Sequence, residues 1–304
     1  METISVLIPT YNAEKYIKTL LNALLNQVLE KNQRLEVIIV DSSSTDNTVS
    51  IIHSDYPDIK VEVIPNKKFD HGGTRNYLAS LATGQYLLFM TQDAIPYDNY
   101  LISNLLSSFQ EKDVLISYAR QIPKADANPL EVFARNFNYP PVTQVKSKAT
   151  LKELGIKTFF NSNVCSMYHK KTFEYFGGFS EKVILNEDMI LASKVILGGY
   201  KVVYNAEAKV YHSHNYSLKQ QFKRYFDIGM AFSDNSYLLD YASNEKEGFK
   251  MVKTQCKYLI SKKLFHLIPF TVIENGVKFI AYNLGKRHKL FPYKLKRKLS
   301  AYMK

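Results

Sequence analysis

The sequence predicts an α/β protein with a mostly parallel sheet flanked by helices, and three observations carry that expectation. Short apolar runs alternate with segments of helical spacing through the first 100 residues. The runs are apolar at successive positions, the pattern of strands covered on both faces. Apolar residues make up 46% of the chain and aromatic ones 13%, enough for a full core and too much for a disordered or fibrous chain.

The elements follow in order. Ile4–Ile8 reads as a first buried strand. Pro9 fixes the turn after it, Thr10 or Asn12 is placed to cap, and Glu14–Leu29 has apolar residues at helical spacing. Leu35–Val40 is a second strand and Thr48–His53 a helix, opened by a cluster in which Asp46 and Asn47 are the best-placed caps. Lys60–Ile64 is a third strand, Thr74–Ala82 a helix and Tyr86–Met90 a fourth strand. The polar stretch from Pro140 to about Lys157 reads as a mobile loop; a strand over Phe159–Tyr168 and a helix from about Asp188 to Leu197 complete the body. Two cysteines, Cys165 and Cys256, exclude a disulfide framework and a Cys-rich zinc module. Apolar runs fall short of the roughly 20 residues of a membrane span, and Asn12, Glu14 and Lys15 interrupt any leader-like start. A cytoplasmic body is the expectation.

The net charge of +12 is localised. Residues 1–244 balance to zero, whereas 245–304 carry 15 Lys and Arg against Glu245, Glu247 and Glu274. The chain is therefore read as a neutral body, 1–244, with a basic helical region, 245–304. In that region Leu264, Phe265, Phe270, Ile273, Phe279 and Ile280 interleave with the cations. Such a mixture suits an anionic membrane surface, where each cation contributes about 1 kcal/mol; a helical hairpin packed on the body with a solvated basic face and a dimer interface are the other readings left open.

In open parallel sheets, ligands bind beyond the carboxyl ends of the strands. Tyr11 offers an aromatic face there, and Asp41 can accept a hydrogen bond from an imide or a ribose hydroxyl. Gly72 and Gly73, with Arg75 in a helix start, read as a diphosphate loop. Asp93, just past a buried strand, suits a hard divalent cation. Glu187 and Asp188 open a helix, and His212 and His214 alternate on a strand, so that only one of them is expected to reach a site.

Together these loops resemble the nucleotide-binding half of the family 2 inverting glycosyltransferases, of the fold type called GT-A. The resemblance extends through Gly177-Gly178-Phe179, Asn186-Glu187-Asp188, Gly199-Tyr200-Lys201 and Val210-Tyr211-His212-Ser213-His214, covering roughly residues 3–235. The stretches His71–Asn76, Thr91–Ala94 and His212–Ser217 look most like bacterial rhamnosyltransferases, including those that build streptococcal rhamnose polysaccharides from dTDP-L-rhamnose.

The resemblance implies a role for each matching residue. Pro9, Tyr11, Asp41, Arg75, Gln92, Asp93 and Arg224 would bind the nucleotide-sugar donor, Tyr11 stacking on the base and Asp41 bonding its imide. Asp93, His212 and His214 would hold Mg²⁺ or Mn²⁺, although Thr91 replaces the first acid of the family's Asp-x-Asp motif. Asp188 would be the general base, with Glu187 and Asn163 toward a saccharide or lipid-linked saccharide acceptor. The expected activity is L-rhamnose transfer from dTDP-L-rhamnose in cell-surface polysaccharide synthesis, at the inner face of the cell membrane. A UDP-hexose donor is the alternative within the family. Outside it stand a nucleotide-sugar-binding protein without turnover and a nucleic-acid-binding module, the latter disfavoured because the charge is segregated from the loops and no nucleic-acid motif accompanies it.

Overall fold

The computed structural model describes residues 1–241 and 244–303, the side chains of 244–249 excepted. Strand and helix alternate through β1 (Glu2–Thr10), α1 (Glu14–Leu25), β2 (Gln33–Asp41), α2 (Thr48–Asp55), β3 (Lys60–Val63), α3 (His71–Leu81) and β4 (Tyr86–Met90). There follow β5 (Ile95–Pro96), α4 (Leu101–Ser107), β6 (Val114–Ile122), α5 (Pro129–Asn138), β7 (Gln144–Lys146), α6 (Leu151–Leu154), β8 (Cys165–His169), α7 (Lys170–Tyr175), α8 (Glu187–Leu197), β9 (Lys201–Tyr211) and α9 (Leu218–Asp234). The basic region forms α10 (Asn244–Ser261), α11 (Ile268–Lys286) and α12 (Tyr293–Leu299). The expected division at 244/245 falls at the start of α10, where side chains are not described.

One sheet runs β3-β2-β1-β4-β8-β6-β9-β5, with β7 also on β9. The neighbours among β3, β2, β1 and β4 are parallel. β8 is antiparallel to both β4 and β6, which leaves β6 and its parallel partner β9 running the same way as β4. The carboxyl ends of β1, β2, β3, β4, β6 and β9 therefore share one edge, and the segment entering β8 arrives at that edge too. The central strands β1 and β4 are buried on both faces, as their unbroken apolar runs require, while the edge strand β3 is partly exposed. Ile4, Val6 and Ile8 of β1 pack with Ile17, Leu20 and Leu24 of α1, while Leu7 faces the opposite layer with Leu78 of α3 and Ile190 of α8. Each such fully buried side chain contributes about 1.5–3 kcal/mol.

Several local expectations are corrected. Pro9 lies within β1, paired with Val40, so the chain turns only at Asn12, whose φ is 51°. Neither Thr10 nor Asn12 caps α1: Thr10 Oγ1 donates to Asp41, Asn12 Oδ1 accepts from Thr45 N, and Thr48 Oγ1 and Asp46 Oδ2 take the amides of Ala13 and Glu14. α1 stops at Leu25 instead of Leu29. α3 begins at His71, because Asp70 Oδ1 caps it by accepting from Gly73 N at 2.7 Å. The Pro140–Lys157 stretch is not a plain loop; it adds β7 to the edge of β9 and then turns through α6. The strand expected over Phe159–Tyr168 is confined to Cys165–His169, since 155–159 is a short helical turn.

Candidate active site

Beyond the shared edge opens a cleft of about 350 Å³. Arg75, Asp93, Asn163, Glu187, Asp188, His212, His214 and Arg224 line it, so eight of the residues singled out in the sequence meet there. Asp41, Pro9, Tyr11 and Gln92 stand outside that lining.

At one end Asp93, His212 and His214 form a cluster whose candidate ligand atoms all lie within 4.8 Å of one another. Asp93 Oδ2 is 3.6 Å from His212 Nε2 and 3.3 Å from His214 Nε2, and the two Nε2 atoms are 3.1 Å apart. Two donors at right angles around one cation, each at about 2.1–2.2 Å, stand roughly 3 Å apart, so the triad fits one face of a metal's coordination sphere. Both histidines reach the site, contrary to the expectation of one. β9 ends at Tyr211, and the chain past it no longer alternates as a strand does. Gln121 Oε1, at the end of β6, lies 2.9 Å from His212 Nδ1. An amide oxygen only accepts, so Nδ1 carries the proton and the Nε2 lone pair faces the cluster. Burial pushes both imidazoles below their ordinary values, His212 well below, despite the carboxylate beside them. Burial opposes the charged form of Asp93, but His212, His214 and Lys124, whose Nζ is 3.5 Å away, outweigh it and hold the carboxyl below its usual range.

At the other end α8 presents Glu187 and Asp188. The entry turns on Asn186, at φ 67°, a left-handed conformation that asparagine tolerates better than most residues. Asp188 Oδ2 accepts from Asn163 N at 2.9 Å and Oδ1 from Met189 N at 2.7 Å. Burial, and then the charge of Glu187, outweigh those bonds and push its carboxyl up to about 7. Glu187 itself is held ionised below the usual range: burial opposes this, but Arg75 and His71 prevail. Its Oε1 lies 3.2 Å from Arg75 Nη1 and accepts from Asn163 Nδ2 at 3.1 Å. Glu187, Asn163 and Arg75 are thus engaged with one another in the cleft wall. Arg224 has no carboxylate partner among the described residues; its guanidinium faces the Tyr216 ring at 5.7 Å, and Tyr302 accepts a hydrogen bond from it.

The remaining loops brace the edge. Gln92 Oε1 accepts from Tyr11 N and Gln92 Nε2 donates to Tyr11 O, splinting the ends of β1 and β4 while Tyr11 stays 45% exposed. Asp41 is fully buried and accepts from Thr10 Oγ1, Ser44 N and Ser44 Oγ. The reading of Gly72 and Gly73 as a ligand cradle is corrected. A Cβ at Gly72 would meet the Ser180 carbonyl at 2.1 Å, so its close approach is to the protein's own backbone, and Asp70 already occupies the start of α3.

Sequence reasoning missed Gln121, Arg135, Tyr216 and Tyr302 in the lining. Gln121 stands next to last in β6, beside Arg120 and at the ligand edge, but no strand was read there from the sequence; nothing local marked Tyr302.

A family model for glycosyl transferase family 2 matches residues 5–177. The chain is 42% identical to the O-antigen chain rhamnosyltransferase WbaN of Salmonella anatum, over 99% of this chain and 95% of that protein. It is 41% identical to RfbN of Salmonella typhimurium, described in the same words, over 98% and 94%. In fold it is similar to the mannosyltransferase PcManGT of Pyrobaculum calidifontis, solved with GDP-Man and Mn²⁺, at a TM-score of 0.59 and 16% identity over 97% of this chain and 82% of that one. With the GT-A sheet, the strand-end loops and a carboxylate-lined cleft all in place, the chain belongs to glycosyltransferase family 2.

Proposed function

We propose that the protein transfers L-rhamnose from dTDP-L-rhamnose to a lipid-linked saccharide during O-antigen-type polysaccharide synthesis, with inversion at the anomeric carbon. One observation carries the reading: a single cleft holds both the Asp93–His212–His214 cluster and a carboxyl, Asp188, poised at about 7. The whole-chain similarity to two rhamnosyltransferases supplies the sugar. Asp188 accepts the proton of the acceptor hydroxyl as its oxygen bonds to the anomeric carbon. The bond from that carbon to the diphosphate oxygen breaks on the opposite face, and the electron pair leaves with dTDP. Asp93, His212 and His214 would hold a divalent cation, which would supply charge neutralisation for the departing diphosphate. Arg224 adds a positive charge from the protein. Two imidazoles beside one carboxylate favour Mn²⁺ over Mg²⁺, which prefers oxygen ligands. The assay is dTDP release from dTDP-L-rhamnose with a lipid-linked acceptor. Turnover in Mn²⁺ exceeding that in Mg²⁺ supports the reading; turnover with UDP-hexoses alone, or with no donor, overturns it.

The acceptor's lipid would be met at a membrane surface. No helix among the described residues is long and apolar enough to cross one. Along α11, Val272, Ile273, Phe279 and Ile280 lie more than half exposed on one stripe. Exposed Lys262 and Lys263 flank its start, and Lys286, Arg287 and Lys289 its end. An apolar stripe between cations suits an anionic bilayer; a second copy would bring like charge against like. Deleting 245–304 would uncover Phe226 and Met230, which pack against α11, so the cleaner test is Phe279→Glu with Ile280→Glu. That variant should lose flotation with phosphatidylglycerol vesicles; unchanged flotation contradicts the docking face.

A further inference from the structure

The last described residues return to the cleft. Ser300, Ala301, Tyr302 and Met303 follow α12 as a tight turn, with Ser300 Oγ accepting from the amides of Tyr302 (3.0 Å) and Met303 (2.9 Å). Asp227, fully buried on α9, binds the same turn: its Oδ2 accepts from Ala301 N at 2.8 Å and Tyr302 N at 3.2 Å. α11 and α9 cross with their backbones in contact, since a Cβ at Gly285 would meet the Phe226 carbonyl at 2.0 Å and one at Gly229 the Tyr282 carbonyl at 2.2 Å. Met303 of the turn packs against Phe226, Met230 and Ala281 at that crossing, so the turn is held by Asp227 and by this apolar contact.

Its side chain is aimed at the donor end. Tyr302 OH accepts from Arg224 Nη1 at 3.1 Å, and the Tyr302 ring meets His71 edge-on with centroids 5.1 Å apart. Beyond Arg224 the contacts continue: its guanidinium faces Tyr216, and Tyr216 stacks on His214 at 5.1 Å, with rings 26° from parallel. Arg224 thus carries a charge that no carboxylate among the described residues anchors, with a phenol on one side and a ring leading to the cation cluster on the other.

We propose that the C-terminal turn is a clamp on the donor site, in which Tyr302 is a positioning residue that holds Arg224 toward the donor diphosphate. The proposal rests on the donor reading above. It also makes the basic region part of the active site, because the segment following α12 completes the cleft wall.

The test uses the full chain, titrated calorimetrically with dTDP, UDP and GDP in Mn²⁺. Whichever nucleotide binds the wild type should bind Tyr302→Phe about 3–10-fold more weakly, the loss expected for one ordinary hydrogen bond. Donor KM should rise by the same factor with kcat little changed. In an Arg224→Ala background the Tyr302→Phe change should have no further effect, a dependence that a merely structural tyrosine would not show. Equal affinities for wild type and Tyr302→Phe, or the same loss with and without Arg224, overturn the clamp and leave the transferase reading standing. A wild type that binds none of the three nucleotides overturns the donor reading and the clamp with it.

Discussion

Asp93 and Asp188 line the same cleft, and their surroundings drive their carboxyls in opposite directions. Around Asp93 stand two imidazoles and Lys124, and the carboxyl is held ionised below its usual range although burial opposes this. Around Asp188 stand backbone amides and the charge of Glu187, while Arg75 pairs with Glu187 instead; burial prevails and the carboxyl rises to about 7. These neighbours suit the roles proposed above: a charged group beside a cation, and one that changes protonation near neutral pH facing an acceptor hydroxyl.

The sharpest way to break the comparison is Asp188→Asn. Turnover should fall by about 10²–10⁴-fold, the usual contribution of a general base, while nucleotide affinity measured by calorimetry stays within about twofold. Next comes the support behind the proposed metal ligands. Gln121→Leu removes the acceptor that fixes the His212 tautomer and should weaken cation affinity by about 10–100-fold, read as a shift in the Mn²⁺ concentration for half-maximal turnover.

The third effect lies in stability. Folded Asp188 keeps its proton up to about pH 7, whereas an unfolded aspartate loses it near pH 4. The native state therefore binds more protons between those values, and stability falls as pH rises through that window. Asp188→Asn removes the penalty. Relative to the wild type, its Tm should therefore rise by several degrees between pH 4 and pH 8, since about three pKa units correspond to roughly 4 kcal/mol. The smallest effect is expected at Asp70→Ala, which uncaps α3; it should cost about 1 kcal/mol in denaturant unfolding.

Legibility followed sequence distance. The strands β1, β2 and β4 were readable because burial on both faces leaves unbroken apolar runs, whereas the edge strand β3 alternates Lys-Val-Glu-Val; the edge they share pointed to Asp93 and Arg75. Asp188 was readable only through the resemblance, since acids in a first helical turn also serve the helix dipole. The pairing of Glu187 with Arg75 was not, because it joins α8 to α3 across more than 100 residues. His212 and His214 were both named, but their shared direction depends on where β9 stops. Tyr302 was invisible: its place in the cleft comes from α11 crossing α9 through Gly285 and Gly229, a tertiary fact with no local pattern.

The division of labour is tested most directly by titrating Mn²⁺ against turnover in two variants side by side, His214→Ala and Asp188→Asn. The account predicts that His214→Ala needs far more Mn²⁺ but recovers turnover as it saturates, while Asp188→Asn saturates at the wild-type concentration and stays slow. Two variants that respond to the cation in the same way would contradict it.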